Sequence, residues 1–418
     1  MKNKVISGIP VSFFKNFTFV SVSQFGNYVL PLITIPYLTR TLGPEKFGLI
    51  SFAQVFISYF TIIVNFGFDL TITRKISVNR NNPEKISEIF SHTLLVKFLL
   101  FLGSSLILAC LLFIAKFRSN ASLYLVTHLI NIGYLLFPLW LFQGMEKSGF
   151  SAMLNFCIKL IFSISVFILI RSEKDYILSN LLLSLAQIFV GCISLVISAR
   201  LFGIQFRKPE KTLLWSQLKE GFWIFLSMAI ISGYTTSNMF LLGLLKNDQQ
   251  VGYFNIAYKI IFSVYGLILI PFNYSFFPII TKQFFEDRRM ADKALRRIGR
   301  YLILIMLIAS VLLFLLSDFI IAIFGSGYTE TSMLLKLMSV LPVGIALVNL
   351  YGFNGLVALG MDRKFMLVTG LGAAISIILN LLLIPLYGMY AVAVVWGFTE
   401  FFIFSMSLYF YNKATRVV

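Results

Sequence analysis

The sequence predicts an all-α polytopic membrane protein, and three observations lead to this fold class. Of its 418 residues, 58% are hydrophobic and only 12% are charged, about half the charged fraction of a soluble domain. Apolar runs long enough to cross a bilayer recur along the chain, and basic residues concentrate on alternate connections between them. These observations exclude a soluble enzyme and a disordered scaffold, and they argue against a nucleic-acid partner despite the net charge of +18.

Twelve apolar runs have the length of a membrane-spanning helix. A bilayer core about 30 Å thick needs about 20 residues at a rise of about 1.5 Å per residue. The longest connections, residues 200–220 and 281–300, are too short to form a separate aqueous domain. The predicted spans are residues 16–38, 48–70, 89–114, 121–143, 149–170, 177–199, 221–245, 252–280, 301–324, 333–359, 365–387 and 389–411.

The basic residues predict the orientation of these spans. An even number of spans puts both termini on one side of the membrane, and that side receives 24 of the 35 Lys and Arg residues, against 7 on the other. The positive-inside rule therefore predicts that both termini are cytoplasmic. The remaining four basic residues are lysines inside the spans.

Two short motifs occur at corresponding positions in the first six and the last six spans. Residues 47–53 align without gaps with 251–257. Residues 144–147 align with 360–363, where a Gly, a Met, an acid and a base follow in the same order. We interpret these matches as a six-plus-six duplication. Because six is even, the two halves have the same orientation, which makes this a parallel repeat.

The duplication predicts two bundles joined by a basic segment. Residues 1–199 form the N-terminal six-helix bundle, 200–220 the basic cytoplasmic linker, and 221–418 the C-terminal six-helix bundle. Two similar bundles around a central cavity can alternate between inward-open and outward-open states, so this architecture favours transport.

Four lysines lie within predicted spans, where burying a charge costs at least about 2.5 kcal/mol. Lys159 and Lys259 are deep in their spans, which favours a polar cavity around them. Lys97 fits either such a cavity or a side chain that reaches the interface. Lys336 is three residues inside its span, so we expect it at the interface.

Two acids are candidates for a role inside the membrane. Glu400 lies eleven residues into the last span, where a carboxylate is costly unless it is paired or protonated. It could form an ion pair or take part in ion or proton coupling. Asp69 lies near the end of its span and is a second candidate for the same roles.

Sites for a metal or a nucleotide are not expected. The 3 cysteines and 2 histidines have no metal-ligand spacing. The sequence contains no GxxxxGK[ST] phosphate-binding loop. We therefore predict no cofactor.

Several motifs, spread over most of the chain, resemble a known family. Leu42–Gly48, preceded by Pro36–Arg40, follows the first span, and Phe142–Glu146 ends the fourth. Gly252–Ala257 opens the eighth span, and Asn380–Gly388 lies near the eleventh. Their residues and order resemble the O-antigen flippases of bacterial lipopolysaccharide synthesis. That family shares a superfamily with multidrug-and-toxin-extrusion (MATE) transporters.

The resemblance implies a MATE-like fold and a flippase that is not an enzyme. Such a protein moves an undecaprenyl-diphosphate-linked oligosaccharide from the cytoplasmic to the periplasmic leaflet of the bacterial inner membrane by alternating access. An O-antigen polymerase and a chain-length regulator are implied as partners, besides the phospholipid bilayer. Cationic cavities are typical of the family, so the resemblance assigns substrate binding to Lys97, Lys159 and Lys259, with Arg40 at the outer mouth.

Other functions stay open. A MATE-type drug/cation antiporter of the same fold would bind cations through buried carboxylates, yet four lysines and only one deep acid, Glu400, lie in the spans. An O-antigen polymerase or ligase would need large outer loops, which the sequence lacks. A major-facilitator sugar transporter is disfavoured because residues 71–88 lack that family's glycine- and arginine-rich signature.

Overall fold

A computed structural model describes residues 11–207 and 211–416, and these residues are helical apart from short turns. Nine helices in these ranges are long and apolar enough to cross a membrane. The count is ten if the bent pair Ser326–Met338 and Leu341–Val357 is one span. The predicted class of an all-α polytopic membrane protein is therefore confirmed. Twelve spans and cytoplasmic termini stay predictions.

The helices, numbered in chain order, include several short segments between the long ones. Two 3-10 turns, Glu173–Asp175 and Ser326–Tyr328, and a π-helix, Asn349–Val357, complete the regular structure of the described ranges. The α-helices are α1 (Val11–Asn65), α2 (Phe68–Val78), α3 (Pro83–Leu111), α4 (Ala115–Arg118), α5 (Ala121–His128), α6 (Ile130–Leu136), α7 (Leu139–Gly144), α8 (Ser148–Leu169), α9 (Tyr176–Phe202), α10 (Lys211–Leu245), α11 (Asp248–Glu286), α12 (Arg288–Ala322), α13 (Thr329–Met338), α14 (Leu341–Val348), α15 (Asp362–Tyr387) and α16 (Met389–Arg416).

The described residues group into two compact units. The first unit comprises the chain up to Thr34 together with Ala53–Ser232. The second comprises Ile35–Phe52 together with the chain from Gly233 onward. The long helix α1 contributes to both units, since its middle segment packs with the second. The boundaries predicted from the duplication, 1–199, 200–220 and 221–418, stay a prediction.

Glycine breaks α1 into two helical segments. Gly43 has φ 71° and ψ 170°, which no helix contains and which residues with a Cβ rarely adopt. This break lies in the connection that the sequence predicts between the first two spans. The two segments are therefore separate helices by geometry, although they are continuous in the chain.

The first unit is held together by close helix crossings and by a buried polar network. A Cβ on Gly133 of α6 would lie 2.6 Å from the backbone carbon of Gln187 in α9. Such contacts let membrane helices approach closely. In the same unit Asn131 accepts from the Thr61 hydroxyl at 2.7 Å and donates to His128 Nδ1 at 3.1 Å. His128 is thus a packing residue that joins α5 to its neighbours.

The second unit brings the two aligned motifs into contact. A Cβ on Gly48 would lie 1.6 Å from the backbone oxygen of Asp248, and one on Gly252 would lie 2.5 Å from that of Pro44. One turn further along, Asn255 Nδ2 donates to Ser51 Oγ at 2.6 Å. Positions that correspond in the sequence alignment therefore pack against each other, and glycine is required where the backbones meet.

The connection predicted at residues 281–300 is helical apart from one residue. α11 ends at Glu286 and α12 begins at Arg288, so Asp287 alone separates them. In the part of α12 within this segment, Ala291, Leu295 and Gly299 are buried at the helical spacing of four, while most of the other residues are charged. A search for continuous apolar runs misses such an amphipathic extension of a membrane helix.

Candidate functional site

Lys97 lies in the interior of the first unit, where α3 passes α6. Its side chain is 1% exposed, and its Nζ donates to the backbone oxygen of Tyr134 at 2.6 Å. In a regular helix that oxygen would accept from residue 138, but Pro138 has no N–H to donate. The ammonium group therefore occupies the place of a missing backbone donor, and it still has two further N–H donors.

Asp69 is the acidic partner of this lysine. It lies in the first turn of α2, directly after the helix break at Phe66 and Gly67, which both have positive φ. Its carboxylate interacts electrostatically with the Lys97 ammonium group and also with the Tyr134 hydroxyl. The structure thus brings together two residues that the sequence identifies separately. We call Asp69, Lys97 and Tyr134 the first-unit polar cluster.

Neighbouring polar groups extend the cluster along α2. The Thr73 hydroxyl lies 2.7 Å from the Asp69 backbone oxygen and 3.3 Å from Gln143 Oε1. Trp140, whose backbone oxygen also accepts from Thr73 at 3.2 Å, is fully buried beneath α2. The wall around the first-unit polar cluster is therefore built from α2, α3, α6 and α7.

Lys159 lies in the same unit but on a different helix. Its side chain on α8 is half-buried. One turn further on, Ser163 Oγ accepts from the Thr34 hydroxyl at 2.8 Å, which joins α8 to α1. Lys159 is therefore one helical turn from a contact between α8 and α1.

The second unit contains a cavity of about 350 Å³ beside Glu400. Glu400 on α16 is 8% exposed, and its Oε1 accepts from Trp396 Nε1 at 3.0 Å. The other polar side chains of the wall are Tyr265, Asn273, Asn349 and Thr369. Carboxylate, amide and hydroxyl groups in this arrangement can bind hydroxyls of a ligand, and the carboxylate can hold a proton or a cation.

A π-helix forms part of this cavity wall. Asn354, which is fully buried in the π-helix, donates through Nδ2 to Asn273 Oδ1 and to Asn349 Oδ1, each at 2.9 Å. Within the described residues, the Asn354 Oδ1 atom has no hydrogen-bond partner. π-helical turns are rare and occur mostly at functional sites. Asn273, Asn349 and Asn354 lie within the predicted spans 252–280 and 333–359, but the sequence carries no signal for the π-helix that brings them together.

The two remaining candidates, Lys259 and Arg40, lie elsewhere in the second unit. Lys259 on α11 is half-buried, and its backbone oxygen accepts from Ser263 at 2.8 Å. Arg40 is exposed, and its Cγ lies against Gly325 in the turn after α12. Among the described residues, the lining of the Glu400 cavity includes neither of them.

Solved structures with similar folds are lipid and drug transporters. An inward-closed structure of the lipid II flippase MurJ has a TM-score of 0.71 at 16% identity, covering 93% of this chain and 86% of that one. An inward-facing MATE transporter of the MOP superfamily has a TM-score of 0.68 at 12% identity, with coverage of 95% and 98%. These similarities confirm the predicted MATE-like fold.

Relatives in sequence are named for O-antigen transport. Two proteins called "Putative O-antigen transporter" match almost end to end. That of Escherichia coli (strain K12) is 28% identical over 412 residues, covering 97% of this chain and 98% of the relative. That of Shigella dysenteriae is 30% identical over 388 residues, covering 92% and 96%. Residues 13–284 match the profile of a family described as polysaccharide biosynthesis protein. The chain therefore belongs to the polysaccharide biosynthesis protein family, as its motifs predict.

Proposed function

We propose that this membrane protein is a flippase for undecaprenyl-diphosphate-linked O-antigen oligosaccharides. It moves them from the cytoplasmic to the periplasmic leaflet of the inner membrane by alternating access and works without a cofactor. The observation that carries this proposal is the match, over more than nine-tenths of both chains, to two relatives named as O-antigen transporters. A fold similar to that of a lipid II flippase supports it independently.

The buried cations suit the charge of such a substrate. A diphosphate is anionic, and the lysine ammonium group attracts it as a point charge. Lys97 donates one of its three N–H groups to Tyr134, so two can reach phosphate oxygens without breaking that contact. In this proposal Lys97, Lys159 and Lys259 bind the diphosphate, and Arg40 receives it at the outer mouth.

The acidic residues have different roles in the proposal. Asp69 interacts with Lys97 and limits the positive charge that is present when no substrate is bound. Glu400 lines a cavity whose wall also contains the Tyr265 hydroxyl and the side-chain amides of Asn273 and Asn349. It is the group that takes up a proton or cation during the cycle, because its carboxylate is nearly buried.

A deletion strain tests the function. Without the protein, the lipid-linked repeat unit should accumulate in the inner leaflet, and surface O-polysaccharide should disappear. Mass spectrometry of the accumulated lipid then identifies the sugar. Unchanged surface polysaccharide with no accumulation would contradict the proposal. A polymerase or ligase defect gives a different result, since single repeat units then still reach the outer leaflet.

A MATE-type drug/cation antiporter is a second candidate, and the Glu400 cavity in a MATE-like fold favours it. It predicts efflux of a fluorescent organic cation that is lost in Glu400→Gln. The flippase proposal predicts no such efflux in cells or vesicles that contain the protein. The two functions are therefore separated by one transport measurement.

A further inference from the structure

The N-terminal end of α12 carries a basic pocket that is separate from the sites described above. The pocket has a volume of about 370 Å³ and lies between this end of α12 and the last turns of α16. Arg288, Arg289 and Lys293 line it from α12, and Asn412 and Thr415 line it from α16. It also includes the pair Asp292 and Arg296. Four basic residues and one acid give the lining a formal charge of +3.

Packing of α12 fixes the direction of these cations. Ala291 and Leu295 are fully buried, in one apolar cluster with Tyr411 of α16. Gly299 continues the buried stripe, since a Cβ there would lie 2.3 Å from Leu350. The helix cannot rotate without losing these contacts. Its basic residues are therefore held at the surface.

One side of the pocket is a neutral, hydrogen-bonded wall. Arg296 Nε donates to both carboxylate oxygens of Asp292 at 2.9 Å, and its NH2 group donates to Asn412 Oδ1 at 3.0 Å. The Tyr411 hydroxyl donates to Asp292 at 2.7 Å. These bonds pair Arg296 with Asp292, so the formal charge of +3 comes from Arg288, Arg289 and Lys293.

The backbone of α12 does not supply the attraction for an anion. Asp287 caps the helix, and its Oδ1 accepts from the N–H groups of Arg289 and Met290 at 2.9 and 3.0 Å. The first N–H groups are therefore satisfied within the protein. Any anion at this end is attracted by the arginine and lysine side chains.

Exposed apolar residues flank the basic residues of the pocket in the sequence. Phe285 is 81% exposed, and Met290 and Tyr301 are 60% and 61% exposed. Large apolar side chains near cations are typical of surfaces that enter the boundary between lipid head groups and acyl chains. These neighbours favour a ligand that is part of a lipid over a free anion in solution.

We propose that the pocket binds the phosphate head group of an anionic phospholipid. A guanidinium group can donate two parallel hydrogen bonds to the oxygens of one phosphate. Arg288 and Arg289, which are consecutive in the sequence, both line the pocket. Asn412 and Thr415 offer an amide and a hydroxyl for the ester or glycerol oxygens of the head group. The exposed apolar side chains of Phe285, Met290 and Tyr301 would contact the acyl chains. This site does not depend on the proposed transport function.

Native mass spectrometry of the purified full-length protein tests the site. The probes are phosphatidylglycerol, which is anionic, and phosphatidylcholine, which is zwitterionic. The pocket variant is R288Q/R289Q. The matched control is R297Q/R300Q, which removes the same charge from exposed positions of the same helix that do not line the pocket. Both double variants change exposed side chains only, so both are expected to fold.

The wild-type protein and the control should retain phosphatidylglycerol in preference to phosphatidylcholine. The pocket variant should bind it about 25-fold more weakly, at about fivefold for each cation. R288K/R289K should lose less than the glutamine variant, because it keeps the charge but not the paired hydrogen bonds.

Three results would overturn the proposal. Equal retention of both lipids by the wild-type protein would show that no anionic head group is selected. Equal weakening in R288Q/R289Q and R297Q/R300Q would show diffuse surface charge and no pocket. Displacement of phosphatidylglycerol by millimolar inorganic phosphate would show a site for free anions.

Discussion

Replacing Lys97 by methionine tests the physical account of the first-unit polar cluster. The change Lys97→Met keeps an unbranched apolar side chain of similar length but removes the charge. It leaves the Tyr134 oxygen without its donor, because Pro138 cannot supply one. It also leaves the Asp69 carboxylate without its cationic partner.

The expected cost follows from these two losses. A buried carbonyl that loses its partner costs about 1–3 kcal/mol. Loss of the Lys97 charge adds to this cost, because the Asp69 carboxylate loses its favourable electrostatic interaction with Lys97. The double variant K97M/D69N removes both charges and keeps only the loss at Tyr134. It should therefore be more stable than K97M.

Thermal melting in detergent gives the order of stability. The wild-type protein should melt highest, followed by K97M/D69N and then K97M. Lys336→Met is the matched control. Its Nζ lies 2.7 Å from Asp318 Oδ2, but the two side chains are 30% and 71% exposed, so its loss should cost about 1 kcal/mol or less. If K97M melts with the wild-type protein, or if the double variant melts below K97M, the reasoning is wrong.

Two further predictions concern packing and transport. Gly48→Ala should destabilise the protein by about 1–3 kcal/mol or more, because the new Cβ would lie 1.6 Å from the Asp248 backbone oxygen. Gly103→Ala is the control and should not destabilise it, because a Cβ there would have no atom within 4 Å. Equal melting temperatures of the two variants would contradict this prediction. Lys159→Ala and Lys259→Ala should each reduce surface polysaccharide at normal protein levels, whereas Lys336→Ala should not. Normal polysaccharide in both of the first two variants, measured by gel with immunoblots of the protein, would remove these lysines from the site.

The fold class could be predicted from the sequence because it depends on composition and on run length. Continuous apolar runs mark membrane helices without any knowledge of their neighbours. The predicted span 301–324 leaves out the N-terminal part of α12, because Ala291, Leu295 and Gly299 form an apolar stripe on one face only. Amphipathic extensions have low mean hydropathy, so a run-length criterion cannot detect them.

The candidate site could be predicted only in part. Burial cost alone identifies Lys97 and Glu400 as unusual, because each is a charge within an apolar run. Their surroundings depend on tertiary structure: Asp69 on α2 interacts electrostatically with Lys97 on α3, and the need for a donor at Tyr134 arises from Pro138. The π-helix around Asn354 has no counterpart in the hydrophobic periodicity of the sequence. Local pattern therefore shows which residues are costly to bury, and packing decides how each is stabilised.

Translocation in reconstituted vesicles tests the central claim most directly. The purified protein is reconstituted with undecaprenyl-diphosphate-linked oligosaccharide on both leaflets, and a membrane-impermeant reagent that modifies the sugar is added outside. The account predicts modification of the inner-leaflet pool in vesicles with the wild-type protein and its protection in protein-free vesicles. Protection of that pool in both preparations, while the wild-type protein is folded and correctly inserted, would contradict the flippase function.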